Sequence, residues 1–361
     1  MLKSKLSQCT VLIIALIFPT FWLFRVKLDE ISHPIESELA RFREEFKHAM
    51  TSEVGLIDKV ANYILRQKGK QVRPILVLLS ANIAGGINDS TYRAATLVEL
   101  LHTATLIHDD VVDTADMRRG LPAINALWKN KVAVLMGDYL LSRGLLLALK
   151  HNDHHFLEIV SDAVKRMSEG ELLQIEKTRS LDIDEATYFK IISDKTASLI
   201  STSCEIGAAS ASCNSEIKRN LRNCGEAIGI AFQIRDDILD YLGKSSKTGK
   251  PVGGDIKEKK ITLPLIYALE HTDEQQRKKI IALLKSDKKR MLFSEEIIRF
   301  AIEHGGIEYA EDTAKKFVQK ALNALSSFPA SPSKTALELF INFAVARQIW
   351  PSETNYKVLR S

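Results

Sequence analysis

From about position 34 onward, apolar residues recur at the three- and four-residue intervals of a helix face, and no stretch sustains the two-residue alternation of a half-buried strand. The pattern predicts an all-α chain. Helix starts are marked by polar side chains able to accept the free N–H groups of a first turn. Asn88-Asp89-Ser90 follows Ile87 and opens a long run reaching Asp113, while Asp182 to Glu185 and Thr272 to Gln275 have capping-box spacing. Ser331-Pro332 places a proline at a first helical position, where its missing N–H costs nothing. Breaks are expected near Gly85-Gly86, Arg118 to Pro122, Gly243 to Asp255 and Gly305-Gly306. The whole reads as one domain of roughly a dozen helices over residues 28–347, without an internal repeat.

Two acidic interruptions of that pattern carry chemistry. Asp109-Asp110-Val111-Val112-Asp113 and Asp236-Asp237-Ile238-Leu239-Asp240 repeat one spacing. Positions i and i+4 share a helix face, so Asp109 aligns with Asp113 and Asp236 with Asp240. A single acidic triplet on a helix is usually a solvated face. These two are embedded among Leu100, Leu101, Leu106 and Ile107 on one side and Ile228, Ile230, Ile234 and Ile238 on the other, so they cannot all face bulk water. Carboxylates gathered in such surroundings repel one another and call for a cation. Mg²⁺ suits the place, because it takes oxygen ligands, uses few carboxylates and completes its shell with water and phosphate oxygens. The clusters predict a divalent-metal diphosphate site.

Such a site also needs fixed positive charge. Lys70 and Arg73, in Gly69-Lys70-Gln71-Val72-Arg73-Pro74, fall at an expected helix start, where the dipole and free N–H groups attract phosphate. Taken alone, that pair is more often a surface patch. Arg118 and Arg119 follow the first acidic cluster in a loop, placed to grip phosphate oxygens. His102 lies two turns before Asp109; a lone helix histidine is usually structural and becomes a candidate here by its company. In the second half, Lys195-Thr196 sits in a small-residue helix and Gln233 stands one turn before Asp236. Lys250 and Lys260 flank the Gly-rich loop Pro251 to Asp255, which could close over phosphates and exclude water.

Composition narrows the reading. The 361 residues are 45% hydrophobic, enough for a large core, and the net charge of +5 suits anionic small molecules or a membrane surface but is too weak and scattered for nucleic acid. Cysteines at 9, 204, 213 and 224 lack zinc-site spacing and read as reduced, consistent with a cytoplasmic location. Residues Val11 to Phe24 form an apolar run between basic flanks, short for a full span and without a small-residue cleavage site after it. Residues 1–27 are therefore expected to be a marginal membrane anchor or an over-extended start, with the true start near Val26.

Taken together, these residues resemble the trans-isoprenyl diphosphate synthase family, in particular its long-chain polyprenyl (octaprenyl or solanesyl-type) members. His102 to Asp113 followed by Asp116-Met117-Arg118-Arg119-Gly120 is similar to the family's first aspartate-rich motif, and Phe232 to Asp240 to its second. Gly249-Lys250-Pro251 and Thr262-Leu263-Pro264 match the segment after it, and the likeness covers residues 28 to 347. The resemblance implies a bundle of long helices around a deep central cavity, usually a homodimer. It implies that Asp109, Asp110, Asp113, Asp236, Asp237 and Asp240 hold about two or three Mg²⁺ ions. Arg118, Lys195 and Lys260 would grip an allylic diphosphate primer, with Thr196, Gln233 and Lys250 lining its pocket. Lys70, Arg73, His102 and Arg119 would hold isopentenyl diphosphate. Lys259 stands where the family usually has glycine, so two adjacent lysines compete for the role given to Lys260. The tail, 348–361, runs past the point where relatives tend to end.

The implied activity is head-to-tail condensation of isopentenyl diphosphate onto the primer, giving a long all-trans polyprenyl diphosphate for quinone side chains. Length is read from Ala104 and Thr105: short-chain members commonly carry a bulky aromatic there, whereas two small residues leave the cavity open. Its floor is then expected deeper, near Leu145 to Leu147, and a long product implies peripheral membrane contact for release. Alternatives are a geranylgeranyl-type synthase, a terpene cyclase, which has no need for the Lys70, Arg73 and His102 set, and a metal phosphohydrolase using His108-Asp109. A non-catalytic subunit is disfavoured because no motif aspartate is missing.

Overall fold

The computed structural model describes residues 28–67, 69–242 and 253–345. The N-terminal apolar run, Lys250 and the C-terminal tail lie outside the described residues. After a short helix, Leu28–Ser32, come α1 (Glu36–Met50), α2 (Gly55–Arg66), α3 (Val72–Ala84) and α4 (Asp89–Val112). Next are α5 (Ile124–Lys150), α6 (His154–Ser180), α7 (Glu185–Ile192), a π-helical turn Ser193–Ala197, α8 (Ser198–Ala211) and α9 (Ser215–Leu242). A single turn, Gly254–Lys257, leads to α10 (Leu263–Glu270), α11 (Glu274–Lys285), α12 (Ser294–Glu303), α13 (Gly306–Leu325) and α14 (Pro332–Val345).

The expected starts are realised by the side chains that marked them. Asn88 accepts from the Thr91 N–H at 3.1 Å while the Thr91 hydroxyl accepts from the Asn88 N–H at 3.2 Å, closing a capping box on α4. Asp184 accepts from Thr187 N–H at 2.8 Å, Asp273 from Gln275 and Gln276, and Ser331 from Lys334 N–H ahead of Pro332. Each such cap contributes about 1 kcal/mol. The loop expected at Arg118 to Pro122 proves to be a minimal antiparallel ribbon, Met117–Arg118 against Leu121–Pro122. Its two corner residues, Arg119 and Gly120, have φ of 53° and 77°, the left-handed pair of a tight hairpin turn.

Two apolar clusters form the core. Phe42, Leu76, Leu78, Leu100 and Phe156 belong to the first; Tyr188, Ile234, Ile238, Leu265 and Phe300 belong to the second. Helix α9 joins them, because Leu221, Cys224 and Ile228 pack in the first and Ile230, Ile234 and Tyr241 in the second. That sharing makes the described chain one unit around α4 and α9, the helices that carry the acidic clusters. Among the described residues one helix, α5, is long and apolar enough to cross a membrane, and α5 packs along α4. Of the cysteines, Cys204 and Cys224 are buried and Cys213 is exposed.

Candidate active site

The two acidic clusters are built alike. In each, the second aspartate turns inward and is engaged by the protein: Asp110, buried, accepts from Arg118 Nε at 2.8 Å and also from Arg118 Nη2. Asp237, also buried, accepts from Tyr188 Oη at 2.6 Å and Gln233 Nε2 at 2.7 Å. Asp109 and Asp113 lie open on the rim at the end of α4, and Asp236 is half-buried. The face-sharing expected for Asp236 and Asp240 resolves differently. Both Asp240 oxygens accept from backbone N–H groups, of Gly254 and Asp255, at 3.0 Å each, so this carboxylate fastens the following loop.

Around Asp237 lies the first pocket, lined also by Lys195, Thr196, Gln233, Asp255 and Lys260. Thr196 Oγ1 donates to Gln233 Oε1 at 2.8 Å, which orients the amide so that its NH₂ meets Asp237. Lys195 Nζ is held by Glu171 Oε2 at 2.5 Å and Gln174 Oε1 at 3.2 Å. The lysine sits in the π-helical turn rather than the regular helix expected, and two glycines admit that widened turn: a Cβ on Gly170 would come within 2.9 Å of Lys195 N, and one on Gly229 within 2.5 Å of Ala197 Cα. Lys260 pairs with Glu258 at 2.6 Å; although burial opposes its charge, Glu258, Asp255 and Asp113 together hold its ammonium above the usual range. The influence of Asp113 on Lys260, and of Lys195 on Asp109, joins the first cluster to this pocket.

Burial disfavours the carboxylate charge in this pocket even though Lys177, Lys195, Lys259 and Lys260 line it. Burial, then the Asp255 carboxylate, push Asp237 up to about 8, against the opposing hydrogen bonds of Tyr188 and Gln233. Desolvation in the cleft, then Glu171, raise Asp109. Among the described residues no three His, Cys, Asp or Glu side chains form an all-protein metal cage. Raised carboxylates without a cage fit a hard cation that takes a few carboxylate oxygens and completes its shell with water and phosphate.

The second pocket gathers Gly69, Lys70, Gln71, Val72, Arg73, Glu99, His102 and Arg119. All four residues assigned to isopentenyl diphosphate from sequence therefore meet here. Lys70 precedes α3 instead of sharing its face with Arg73, and Gln71, at φ 49°, makes the bend that brings them to one side. Arg73 Nη1 donates to His102 Nε2 at 2.8 Å, so the imidazole is neutral with its proton on Nδ1. Arg119 lies across the Gly69 backbone and donates to Gln67 O at 3.2 Å. Burial lowers Arg73 to about 10, partly relieved by Glu99, and burial followed by Arg73 and Arg119 drives His102 well below its usual value. Arg73 Nε is buried without a partner. This pocket is short of negative charge.

The hairpin turn explains how neighbouring arginines serve different places: Arg118 reaches back to Asp110, whereas Arg119 crosses to Gly69. Arg118 does not line the first pocket. Four contributors carried no motif in the sequence: Glu171, Gln174, Tyr188 and Glu99. The mid-helix glycine at Gly170, costly unless something packs against it, was the available signal for the first two. His108, the residue a phosphohydrolase would need, packs on Gly137, 3.2 Å from Val134 O and 3.4 Å from Asp138 Oδ1, facing α5. Ala104 is buried and Thr105 half-buried with its hydroxyl donating to His102 O at 2.9 Å. Leu146 is 47% exposed on the outside of α5, so it is no cavity floor within one chain; Leu145 and Leu147 are half-buried.

A family model described as polyprenyl synthetase matches residues 54–300. The chain belongs to the polyprenyl synthetase family. It is a trans-prenyltransferase, and the resemblance read from its motifs is correct. Among polyprenyl synthetase relatives, the chain is 34% identical to the octaprenyl diphosphate synthase of Escherichia coli over 322 residues, 89% of this chain and 99% of that one. Its all-α fold is shared with a polyprenyl synthase from Caulobacter crescentus, solved with calcium and isoprenyl diphosphate, at a TM-score of 0.80 and 34% identity, covering 90% of this chain and 98% of that one. A geranylgeranyl pyrophosphate synthase from Bacteroides thetaiotaomicron is similar too, at TM-score 0.74 and 37% identity over 89% and 99% of the two chains. Likeness alone thus spans long and short products.

Proposed function

We propose that this enzyme is a Mg²⁺-dependent long-chain synthase in which the first pocket takes the allylic diphosphate and the second takes isopentenyl diphosphate. The observation that carries the assignment is the difference in carboxylates: lysines stand beside buried Asp237 and beside Asp255 in the first pocket, whereas Lys70, Arg73 and Arg119 meet only Glu99 in the second. Asp109, Asp110, Asp113, Asp236 and Asp237 offer hard oxygens for the metal, which would supply charge neutralisation as diphosphate departs. Lys195 and Lys260 take hold of the same phosphate oxygens, while Thr196 and Gln233 fix the pocket wall. Lys70, Arg73 and Arg119 orient the second diphosphate, and neutral His102 keeps Arg73 aimed at it.

With both substrates held, the allylic C–O bond breaks, its electron pair leaving on diphosphate. The isopentenyl double bond attacks the freed carbon, and a proton then passes to an oxygen of the departing diphosphate as the new trans double bond forms. No nucleophilic side chain is needed. Apolar walls such as Ile191, Ile192 and Ile261 keep water from the carbocation.

Long product length is supported by Ala104 and Thr105, which put no bulk one turn below the first cluster. Ala104→Phe should shorten the product to about three or four isoprene units by filling packed space. Mass analysis after incubation with Mg²⁺, isopentenyl diphosphate and farnesyl diphosphate checks this; unchanged length would defeat the long-chain reading. The reading includes a cytoplasmic homodimer. Exposed Leu127, Val134, Leu135 and Leu149 on α5 support a second copy covering that face. Peripheral membrane contact is supported by exposed Met291, Leu292 and Phe293 beside exposed Lys285, Lys288 and Lys289.

A further inference from the structure

Seven non-glycine residues among those described have left-handed backbone, and three of them, Gln71, Arg119 and Lys259, line the two pockets. Gln71 makes the bend ahead of α3 and Arg119 the hairpin corner. Lys259, at φ 65°, needs a different account. Lys260 N–H donates to Asp255 O at 2.8 Å and Lys259 N–H to Ile256 O at 2.9 Å, the paired bonds that close a helix with its capping residue in the left-handed region. Glycine fills that position at no steric cost, whereas the Cβ of any other side chain is crowded there. The turn itself gains nothing from lysine.

What lysine adds is an ammonium at the pocket. The Lys259 side chain lines the first pocket together with Lys195 and Lys260. Its Nζ donates to Arg179 O, 3.2 Å away, at the C-terminal end of α6, the helix that also carries Glu171 and Gln174 against Lys195. The side chain thus bridges the loop after the second acidic cluster and the far wall of the pocket. A backbone carbonyl is a neutral acceptor, whereas a phosphate oxygen adds its own negative charge to the hydrogen bond from the ammonium. A diphosphate in the pocket would therefore draw the ammonium from Arg179 O.

We propose that Lys259 is a further diphosphate-binding residue of this enzyme, a cation carried at a strained backbone position to hold the allylic substrate beside Lys195 and Lys260. The proposal rests on the reading of the first pocket as the allylic diphosphate site. It accounts for a lysine where the turn favours glycine.

The test uses the full chain and its Lys259→Gly, Lys259→Arg and Lys195→Ala variants, with inorganic diphosphate plus Mg²⁺ as the calorimetric probe. Lys259→Gly is expected to bind the probe about 5- to 20-fold more weakly and to raise the farnesyl diphosphate KM by a similar factor. The isopentenyl diphosphate KM should stay within about twofold and Tm should hold or rise, because glycine relaxes the turn. Lys259→Arg should keep most of the affinity. Lys259→Gly binding as tightly as the parent, while Lys195→Ala binds weakly, would overturn the role of Lys259 alone. Unchanged binding in both variants would overturn the pocket assignment, and Lys259 with it. A fall in Tm that arginine does not restore, with affinity unchanged, would make Lys259 a helix-end cap only.

Discussion

Both pockets are lined by cations, and they differ in the carboxylates beside them. In the first, burial disfavours the charge of Asp237, and Asp109 on the rim is raised as well; around Arg73 and His102, it is the positive charges that are suppressed. On the proposed reading the first pocket takes a hard cation with a diphosphate and the second a diphosphate alone. The difference teaches why one enzyme can hold two diphosphates without confusing them. On that reading one pocket would bind metal together with its anion, whereas the other would offer its anion the unpartnered Arg73 Nε.

The sharpest way to break the comparison is to remove charge from one pocket and look for damage in the other. Asp237→Asn should lower kcat on the order of 100- to 1,000-fold while leaving the isopentenyl diphosphate KM within about twofold. Steady-state kinetics with each substrate varied in turn checks it, and an equal rise in both KM values would mean the pockets are not separate. Arg73→Met is the reciprocal case. It should raise the isopentenyl diphosphate KM by about 10- to 100-fold, as for loss of a charged hydrogen bond, with Mg²⁺-diphosphate affinity unchanged by calorimetry.

Acidity offers finer tests. Asp237 is held near 8 in the fold against an unfolded value of 3.8, so the stability its protonated form contributes is complete below 3.8 and lost as pH rises through about 8. Metal-free protein should therefore lose Tm steadily from about pH 4 to 8 and level off above it, and Mg²⁺ should restore more at pH 8.5 than at 6.5, because the proton must leave first. A metal effect independent of pH would count against Asp237 as the group involved. His102 has the reverse sign. Its folded value lies well below 6.5, so its contribution is present above 6.5 and lost as pH falls. His102→Gln should show a smaller drop in Tm from pH 7 to 5 than the parent, the smallest of these effects and readable by calorimetry.

Much of this was legible beforehand because the chemistry is written in local spacing. The helix caps at Asn88, Asp184 and Asp273 are short-range patterns, and so is the repeated aspartate spacing set in apolar helix, which demanded a cation wherever the helices lay. What spacing could not convey is direction. Asp240 shares a helix face with Asp236, yet its oxygens are claimed by the Gly254 and Asp255 N–H groups of a loop that only the fold brings back. Arg118 and Arg119 are adjacent in sequence and part company at a hairpin corner.

The sequence by itself determined the fold class, the two acidic clusters and the set of cations, because helical periodicity and charge in apolar surroundings are properties of segments. Only the tertiary structure decided that Arg118 turns to Asp110 instead of lining the first pocket, and which carboxylate is raised. It also decided that the Lys195 turn rests on Gly170 and Gly229 and that Lys259 spans to Arg179. Those outcomes depend on desolvation and close approach between segments far apart in the chain, and no local pattern encodes them.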